Sequence, residues 1–346
     1  MKYPPLTPVA LRDSPSPARV SVAPMMDWTD RHCRYFFRLL TPDARLYTEM
    51  VTARAIVQGD CKRLLRYDSS EHPLALQLGG SGPDELAAAT KIGCEYGYDE
   101  ININIGCPSD RVRSGRFGAC LMAEPGRVAD CVHAMRAVSG VPVTVKTRIG
   151  IDDLDDYEFL LDFVDQVAAA GCRYFVIHAR KAILAGLSPK ENRSIPPLNY
   201  DRVYRLKRER PELIVILNGG IESIGAVHAH LEHVDGVMIG RKAYADPYFL
   251  AQLQANGWPQ SGAQQRAGAR GRPPSREALI RQMADYAECE LVAGTRLHHI
   301  TRHLLGLYTG LPGARRWRRF ISEQASKPGA DPQVLIDSLS IFDAAA

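Results

Sequence analysis

Residues 142–178 contain the pattern that decides the fold: PVTVK (142–146), then DYEFLLDFVDQVAAA (156–170), then YFVIH (174–178). The first and third segments are short and rich in Val and Ile, which is typical of strands buried on both faces. The middle segment has the apolar spacing of an amphipathic helix, and Gly171 follows it as glycine does where helices end. The pattern predicts a strand, a helix and a second, parallel strand.

The same alternation of short strand and longer helix runs from residue 18 to about 254. Eight repeats favour an α/β fold, a closed (β/α)8 TIM barrel. A doubly wound open sheet is the alternative, although no G-x-G-x-x-G motif follows the first strand. The predicted strands are Arg19–Ala23, Arg45–Glu49, Leu74–Leu78, Glu100–Asn104, Pro142–Lys146, Tyr174–His178, Ile214–Asn218 and Gly236–Ile239. Further predicted helices are Asp84–Cys94, Arg127–Val138 and Tyr200–Arg208.

Composition changes along the chain predict four segments. Residues 1–17 contain five prolines and read as a disordered lead-in, followed by the barrel at 18–255. Residues 256–274 are rich in Gly, Pro, Gln and Arg and indicate a linker. A small C-terminal α-helical domain is expected at 275–346, with helices at Ser275–Val292, His298–Tyr308, Ala314–Ser326 and Pro332–Phe342.

The overall composition excludes several classes of protein. Apolar residues make up 45% and charged residues 24% of the 346, which is ordinary for a globular enzyme. The eight cysteines include no Cys-x-x-Cys pair, which argues against a zinc site and a disulfide framework and favours the reducing cytoplasm. No apolar run approaches ~18 residues, so we expect no membrane span. We expect no metal and a monomer.

Polar or backbone-exposing residues follow seven of the eight predicted strands. In a TIM barrel the active site lies at the carboxyl ends of the strands, so these residues are candidates for function. Gly219 and Gly220 follow strand seven, and Gly240 and Arg241 follow strand eight. Backbone N–H groups and a guanidinium at these two positions indicate a phosphate site. The alternative is that the glycines only permit tight turns.

Two buried polar residues suit the ring of a flavin. Lys146 stands where a strand should be apolar, and a cation there would stabilise negative charge on the N1/O2 edge of a reduced flavin. Gln77 offers a donor and an acceptor, as the N3/O4 edge of the ring requires. Alternatively, Lys146 pairs with a carboxylate such as Glu49, and Gln77 caps a loop.

Three long motifs resemble those of the tRNA-dihydrouridine synthases, in particular the subfamily that acts on uridines 20 and 20a. They are APMMDWTD (23–30), NIGCPS (104–109) and HARKAILAGLSPKENR (178–193), and the segment Thr301–Gly313 with Arg315 and Arg316 resembles that subfamily's helical domain. The similarity extends from Val22 to Arg319 and departs from the family pattern only in the longer linker at 256–274.

The resemblance implies an FMN enzyme that is reduced by NADPH and then reduces uridine in the D-loop of tRNA. Cys107 would be the catalytic acid, and Asn104 would lie close to the target base. His178 would contact either the flavin phosphate or the uracil. The matching positions for FMN are Pro24, Met25, Met26, Gln77, Lys146, His178, Asn218, Gly219, Gly220, Gly240 and Arg241.

Cys107 is the one cysteine that lies in a Gly-Cys-Pro turn at the end of a predicted strand. Thiols are mostly protonated near neutral pH, so Cys107 could give a proton to C5 after hydride reaches C6 of the uracil. The alternative is that Cys107 is an ordinary small hydrophobic residue.

A basic region near the C-terminus suits a nucleic-acid partner. Residues 296–327 contain seven Lys or Arg against one acidic residue. Arg315, Arg318 and Arg319 would share one face of a helix, while Trp317 would turn to the core. A solvated helix face is the alternative. The candidate tRNA contacts are Asn104, Lys190, Arg193, Thr301, Arg302, Arg315 and Arg316.

Two other functions compete with this interpretation. Another FMN barrel acting on a small molecule would share the cofactor, but has no use for a basic helical domain. A non-catalytic RNA-binding protein would have no need for Cys107, Lys146 and the phosphate loops.

Overall fold

A computed structural model describes residues 18–109, 112, 115–258 and 271–343. The predicted lead-in at 1–17 and residues 259–270 of the predicted linker lie outside the described residues. The chain divides into two compact units. The first comprises Met1–Met26 with Ala44–Gly240, and the second comprises Asp27–Asp43 with Arg241–Ala346.

The first unit is a barrel of eight parallel strands. Neighbouring strands pair in the order β1-β8-β7-β6-β5-β4-β3-β2, and β1 and β2 close the ring, since the Val22 N–H donates to the Arg45 carbonyl at 2.9 Å. Closure confirms the predicted (β/α)8 barrel and excludes the open sheet. The strands are β1 (Val20–Val22), β2 (Leu46–Thr52), β3 (Leu74–Gly79), β4 (Glu100–Ile105), β5 (Val143–Arg148), β6 (Tyr174–His178), β7 (Ile214–Asn218) and β8 (Gly236–Ile239).

Alternate residues of the strands point into the barrel, where they form an apolar layer and a set of polar side chains. One layer is a buried apolar cluster formed by Ala23, Tyr47, Ala75, Val176, Ile216 and Met238. Polar side chains from the same inward-facing rows include two hydrogen-bonded groups: Gln77 with Asn102 and Asn104, and Lys146 with Asn218. These polar side chains lie next to the apolar layer, toward the carboxyl ends of the strands, and are called the polar floor of the barrel below.

Helices of the first unit connect the strands. Side chains of Asp156, Asn199 and Ser223 accept N–H groups of the first turn of their helices, which fixes where those helices begin. The helices are α2 (Ala53–Gln58), α3 (Cys61–Leu64), α4 (Pro83–Glu95), α5 (Pro125–Val138), α6 (Tyr157–Ala169), α7 (Tyr200–Glu209) and α8 (Ile224–Leu231). Short 3-10 helices lie at Ser69–Glu71, Gly118–Ala123 and Glu191–Arg193.

The second unit is helical and includes α1 (Arg31–Leu40), the helix that follows β1. Tyr35 of α1 stacks on Tyr286 at 3.9 Å between ring centroids, and Arg31 pairs with Glu290 at 2.5 Å. Because of these contacts, the division differs from the predicted boundary at residue 255. The other helices are α9 (Arg241–Ala245), α10 (Tyr248–Asn256), α11 (Arg276–Val292), α12 (Leu297–Thr301), α13 (Ala314–Gln324), α14 (Gln333–Asp337) and α15 (Ser340–Asp343).

Two predicted C-terminal helices are shorter in the structure. The helix predicted at His298–Tyr308 ends at Thr301, and turns follow it. Within these turns Gly306 packs so closely that a Cβ there would lie 2.6 Å from Pro247 Cδ. The helix predicted at Pro332–Phe342 is divided into α14 and α15 around Ser338. The Ser338 hydroxyl accepts the Trp317 indole N–H at 3.0 Å and donates to the Leu335 carbonyl at 2.6 Å, which ties this residue to the core.

Candidate functional site

The Gly106-Cys107 turn follows β4 and is held by hydrogen bonds on both sides. Asn104 Oδ1 accepts the N–H groups of Gly106 at 3.0 Å and Cys107 at 2.9 Å. The Cys107 carbonyl accepts the Ala119 N–H at 3.0 Å. Gly118 has a φ of +78°, and a Cβ there would lie 2.6 Å from that carbonyl, so only glycine fits. The turn thus presents a partly exposed thiol at the carboxyl end of the barrel.

Gln77 lies beside this turn in the barrel interior. Its Oε1 accepts from Asn104 Nδ2 at 3.0 Å, and its Nε2 donates to Asn102 Oδ1 at 2.8 Å. Both partners are side chains of β4, so Gln77 does not cap a loop. One N–H and one lone pair of its amide make no hydrogen bond to the described residues, and Gln77 is 1% exposed.

Lys146 lies across the barrel and donates to Asn218 Oδ1 at 3.2 Å. Burial and the nearby Arg148 charge lower the pKa of Lys146 to about 7. Within the described ranges Lys146 pairs with no carboxylate, so the Glu49 alternative does not hold. Among the described residues the Lys146 ammonium hydrogen-bonds only to an amide oxygen, and an anionic ligand beside it would favour its charged form.

The backbone conformation requires glycine at the two positions after β7, but not at the position after β8. Gly219 and Gly220 have φ values of +116° and +67°, and a Cβ at Gly219 would lie 2.6 Å from His178 Cδ2. These two glycines are required by the turn itself. A Cβ at Gly240 would meet nothing nearer than Asn218 Nδ2 at 4.0 Å. Neither packing nor backbone conformation requires glycine at 240, which fits the close approach of a ligand.

The remaining predicted cofactor residues lie at the ends of β1 and β8. Met25 packs against the apolar cluster of the barrel, while Met26 is 51% exposed and Pro24 is partly exposed. Arg241 follows Gly240 directly and begins α9 of the second unit.

Arg148 was not among the predicted site residues, although it ends β5. Its guanidinium donates to the Gly106 carbonyl at 2.9 Å and to the Lys181 and Asn192 carbonyls at 3.0 Å each. Burial lowers the pKa of Arg148 to about 10. Arg148 therefore ties the Cys107 turn to the loop after β6. Its position two residues beyond Lys146, on a buried strand, was the signal in the sequence.

The loop after β6 carries Lys190 and Arg193, both exposed. Asn192, between them, is fully buried. Its side chain accepts the Ile183 N–H at 2.7 Å and donates to the Ile183 carbonyl at 2.9 Å. This buried amide gives the loop a defined shape, in which Lys190 and Arg193 lie at the surface.

In the second unit, some of the residues predicted to contact tRNA are exposed and others are buried. Arg315 and Arg316 are exposed on α13, whereas Trp317 is fully buried, which confirms its predicted place in the core. Arg302 pairs with Asp30 at 2.6 Å. The Thr301 side chain is only 2% exposed and is closed to direct contact with RNA.

Among the described residues, no helix is both long and apolar enough to cross a membrane. The same part of the chain contains no group of three or more His, Cys, Asp or Glu side chains placed to hold a metal ion.

Comparison with known proteins identifies close relatives. A family model described as dihydrouridine synthase matches residues 21–344. The tRNA-dihydrouridine(20/20a) synthase of Shewanella oneidensis is 59% identical over 315 residues, 91% of each chain. That of Xanthomonas campestris pv. campestris is 58% identical over 330 residues, 95% of this chain and 94% of the relative.

A solved structure of a complex of 2-naphthoyl-CoA reductase is similar at a TM-score of 0.51 and 12% identity. The match covers 70% of this chain and 50% of that chain, so the protein spans about half the length of this structure. At this identity the similarity supports the barrel fold alone.

Proposed function

Because the chain belongs to the dihydrouridine synthase family, we propose that it reduces uridine in the D-loop of tRNA to 5,6-dihydrouridine, at positions 20 and 20a. The observation that carries the proposal is the Cys107 thiol at the carboxyl end of the barrel, on a turn whose backbone is held by Asn104 and Arg148. The relatives' shared length, over 90% of each chain, includes both units. We place this activity in the cytoplasm.

The cofactor we propose is FMN, reduced by NADPH. The Lys146 ammonium, which pairs with no carboxylate among the described residues, and the open space around Gly240 fit its anionic groups. Lys146 would face the N1/O2 edge of the ring, Gln77 the N3/O4 edge, and Gly219, Gly220, Gly240 and Arg241 the phosphate. Pro24, Met25, Met26, His178 and Asn218 complete the proposed set. When bound, FMN supplies the hydride that the uracil receives at C6.

Cys107 completes the reduction by donating its proton to C5, where negative charge develops once C6 has received hydride. Asn104 accepts the Cys107 N–H and so holds the backbone that carries the thiol. The uridine must leave its stack to reach this depth, which requires the protein to bind the surrounding RNA.

We propose that exposed cations supply that binding. Lys190 and Arg193 of the loop after β6, with Arg302, Arg315 and Arg316 of the second unit, would contact tRNA phosphates. The buried Thr301 is left out of this set.

An anaerobic half-reaction tests the proposal directly. The flavin-loaded protein is reduced with one equivalent of NADPH and mixed with tRNA transcribed without modifications, while the flavin absorbance is followed. We expect tRNA to reoxidise the flavin and the same tRNA with its D-loop uridines replaced by cytidine to leave it reduced. Reoxidation at equal rates by both RNAs would contradict the proposal.

A further inference from the structure

A line of buried polar side chains runs from the Cys107 turn into the barrel. Asn104 Nδ2 donates to Gln77 Oε1 at 3.0 Å, and Gln77 Nε2 donates to Asn102 Oδ1 at 2.8 Å. Asn102 Nδ2 then donates to Thr144 Oγ1 at 2.7 Å, and Thr144 Oγ1 donates to Glu100 Oε1 at 2.6 Å. Asn102, Thr144, Gln77 and Glu100 are each no more than 2% exposed.

The groups at the two ends of this chain of hydrogen bonds fix which atom donates and which accepts in every bond between them. At one end, the Gly106 and Cys107 N–H groups can only donate, so Asn104 must turn its oxygen to them. At the other end, Glu100 forms an ion pair with Arg45 and accepts through its carboxylate oxygens, so Thr144 must turn its proton to it. A reversed amide anywhere between would bring two donors or two acceptors together in a buried place, which costs free energy.

Glu100 is itself anchored as an acceptor. Arg45, 3% exposed, forms an ion pair with it, and the Tyr47 hydroxyl donates to its Oε1 at 2.6 Å. Burial and the Glu100 charge raise the pKa of Tyr47 well above its usual value, so Tyr47 keeps its proton and remains a donor. Arg45 and Tyr47 both lie outside the line toward Cys107, which gives an internal comparison for an experiment.

We propose that Glu100, Thr144 and Asn102 are positioning residues that fix the Gln77 and Asn104 amides and, through them, the Cys107 turn. The consequence for catalysis rests on the proposed function, whereas the consequence for the Cys107 turn does not. A fixed Gln77 offers a ligand one N–H and one lone pair in a constant arrangement. A fixed Asn104 keeps the thiol in one place.

The test compares four variants of the flavin-loaded protein. Thr144→Val removes the hydroxyl that joins Asn102 to Glu100, and Thr144→Ser keeps it. Tyr47→Phe removes a hydrogen bond to the same Glu100 oxygen without breaking the line. Thr90→Val makes the same change as Thr144→Val at a fully buried hydroxyl with no hydrogen-bond partner among the described residues.

The first readout is the alkylation rate of Cys107 by iodoacetamide, followed by peptide mass spectrometry. Thr144→Val should free the turn and raise this rate about threefold or more, the factor that removal of one hydrogen bond supports. Thr144→Ser, Tyr47→Phe and Thr90→Val should leave it within about twofold of the wild type. Equal rates in Thr144→Val and Tyr47→Phe would overturn the proposal.

The second readout separates kcat from KM on tRNA. Thr144→Val should lower kcat about tenfold with little change in KM for tRNA, because the thiol moves while the RNA surface does not. Thr144→Ser should restore it. If the wild type forms no dihydrouridine, the proposed function fails, and the alkylation rates still decide the positioning role. Thr144→Ala replaces Thr144→Val if the latter does not fold.

Discussion

The backbone of the Gly106-Cys107 turn is held by residues on three elements. Asn104 holds the Cys107 N–H from β4, Ala119 holds the Cys107 carbonyl, and Arg148 of β5 holds the preceding carbonyl. The sequence alone supplied the Gly-Cys-Pro context and so predicted Cys107. It did not supply the contacts of Arg148 and Asn192, because hydrogen bonds between strand β5 and loops distant in the sequence leave no periodic pattern.

Replacing Cys107 with Ala should separate the two halves of the proposed reaction. We expect NADPH to reduce the bound flavin within about twofold of the wild-type rate, while dihydrouridine formation falls by about 100-fold or more, the range for removal of a general acid. Nucleoside mass spectrometry of the tRNA gives the product yield. Cys94→Ala, a change of the same size on α4, should leave both rates unchanged. Normal product formation by the Cys107 variant would refute its role.

Lys146 should give the flavin-free protein a specific pH dependence. Its pKa is lowered from 10.5 to about 7 in the folded state, so between these values the unfolded chain binds more protons. The free energy of unfolding of the wild type, relative to Lys146→Met, should therefore rise as the pH increases from about 7 toward 10. The rise should be at most on the order of 1 kcal/mol per pH unit.

Denaturant unfolding of both flavin-free proteins at pH 6 and pH 9 measures this difference. At pH 6 the folded wild type must keep a buried charge on Lys146. The free energy of unfolding of Lys146→Met, relative to the wild type, should therefore be higher at pH 6 than at pH 9. A difference in stability that does not change with pH would show that Lys146 is not desolvated as described.

At the scale of elements, the barrel was predictable because each strand is a short apolar run bounded by glycine or polar residues. The strand predicted at Tyr174–His178 has the same bounds in the structure, and the strand predicted at Pro142–Lys146 continues to Arg148. The helix predicted at His298–Tyr308 was wrong beyond Thr301, where turns take its place.

The polar floor of the barrel was only partly predictable. Gln77 and Lys146 stood out as polar residues on apolar strands. Asn102 and Thr144 have the same character, but their role depends on which residues face each other across β3, β4 and β5. Register between strands decides this, and a single sequence does not show register.

Helix α13 supports a prediction about RNA binding. The double variant Arg315→Gln/Arg316→Gln should weaken tRNA binding and reduce the slope of log Kd against log salt by about one for each phosphate that the variant no longer neutralises. Flavin content should not change, because these residues lie outside the barrel. Filter binding at several salt concentrations measures the slope.

The matched control for this helix is Lys91→Gln, which removes an exposed charge from α4. It should leave the salt slope as in the wild type. An unchanged slope in the double arginine variant would show that α13 does not bind phosphate.

The whole molecule carries a formal net charge of only +4, so its bulk charge does not explain an RNA substrate. Exposed cations occur on the loop after β6 in the first unit and on α13 in the second, and we propose that these residues contact the RNA. Relatives more than 55% identical share this two-part chain over nearly its full length. A barrel with a reducing site and a basic helical unit together fit a macromolecular substrate better than a small one.

The central claim, reduction of a D-loop uridine, is tested most directly by mass spectrometry of digested tRNA. An unmodified transcript is incubated with the protein, FMN and NADPH, cut into fragments and weighed. The D-loop fragment should gain the mass of two hydrogens for each uridine reduced, and no other fragment should change. Consumption of NADPH with no gain in any fragment would contradict the account and point to a small-molecule substrate.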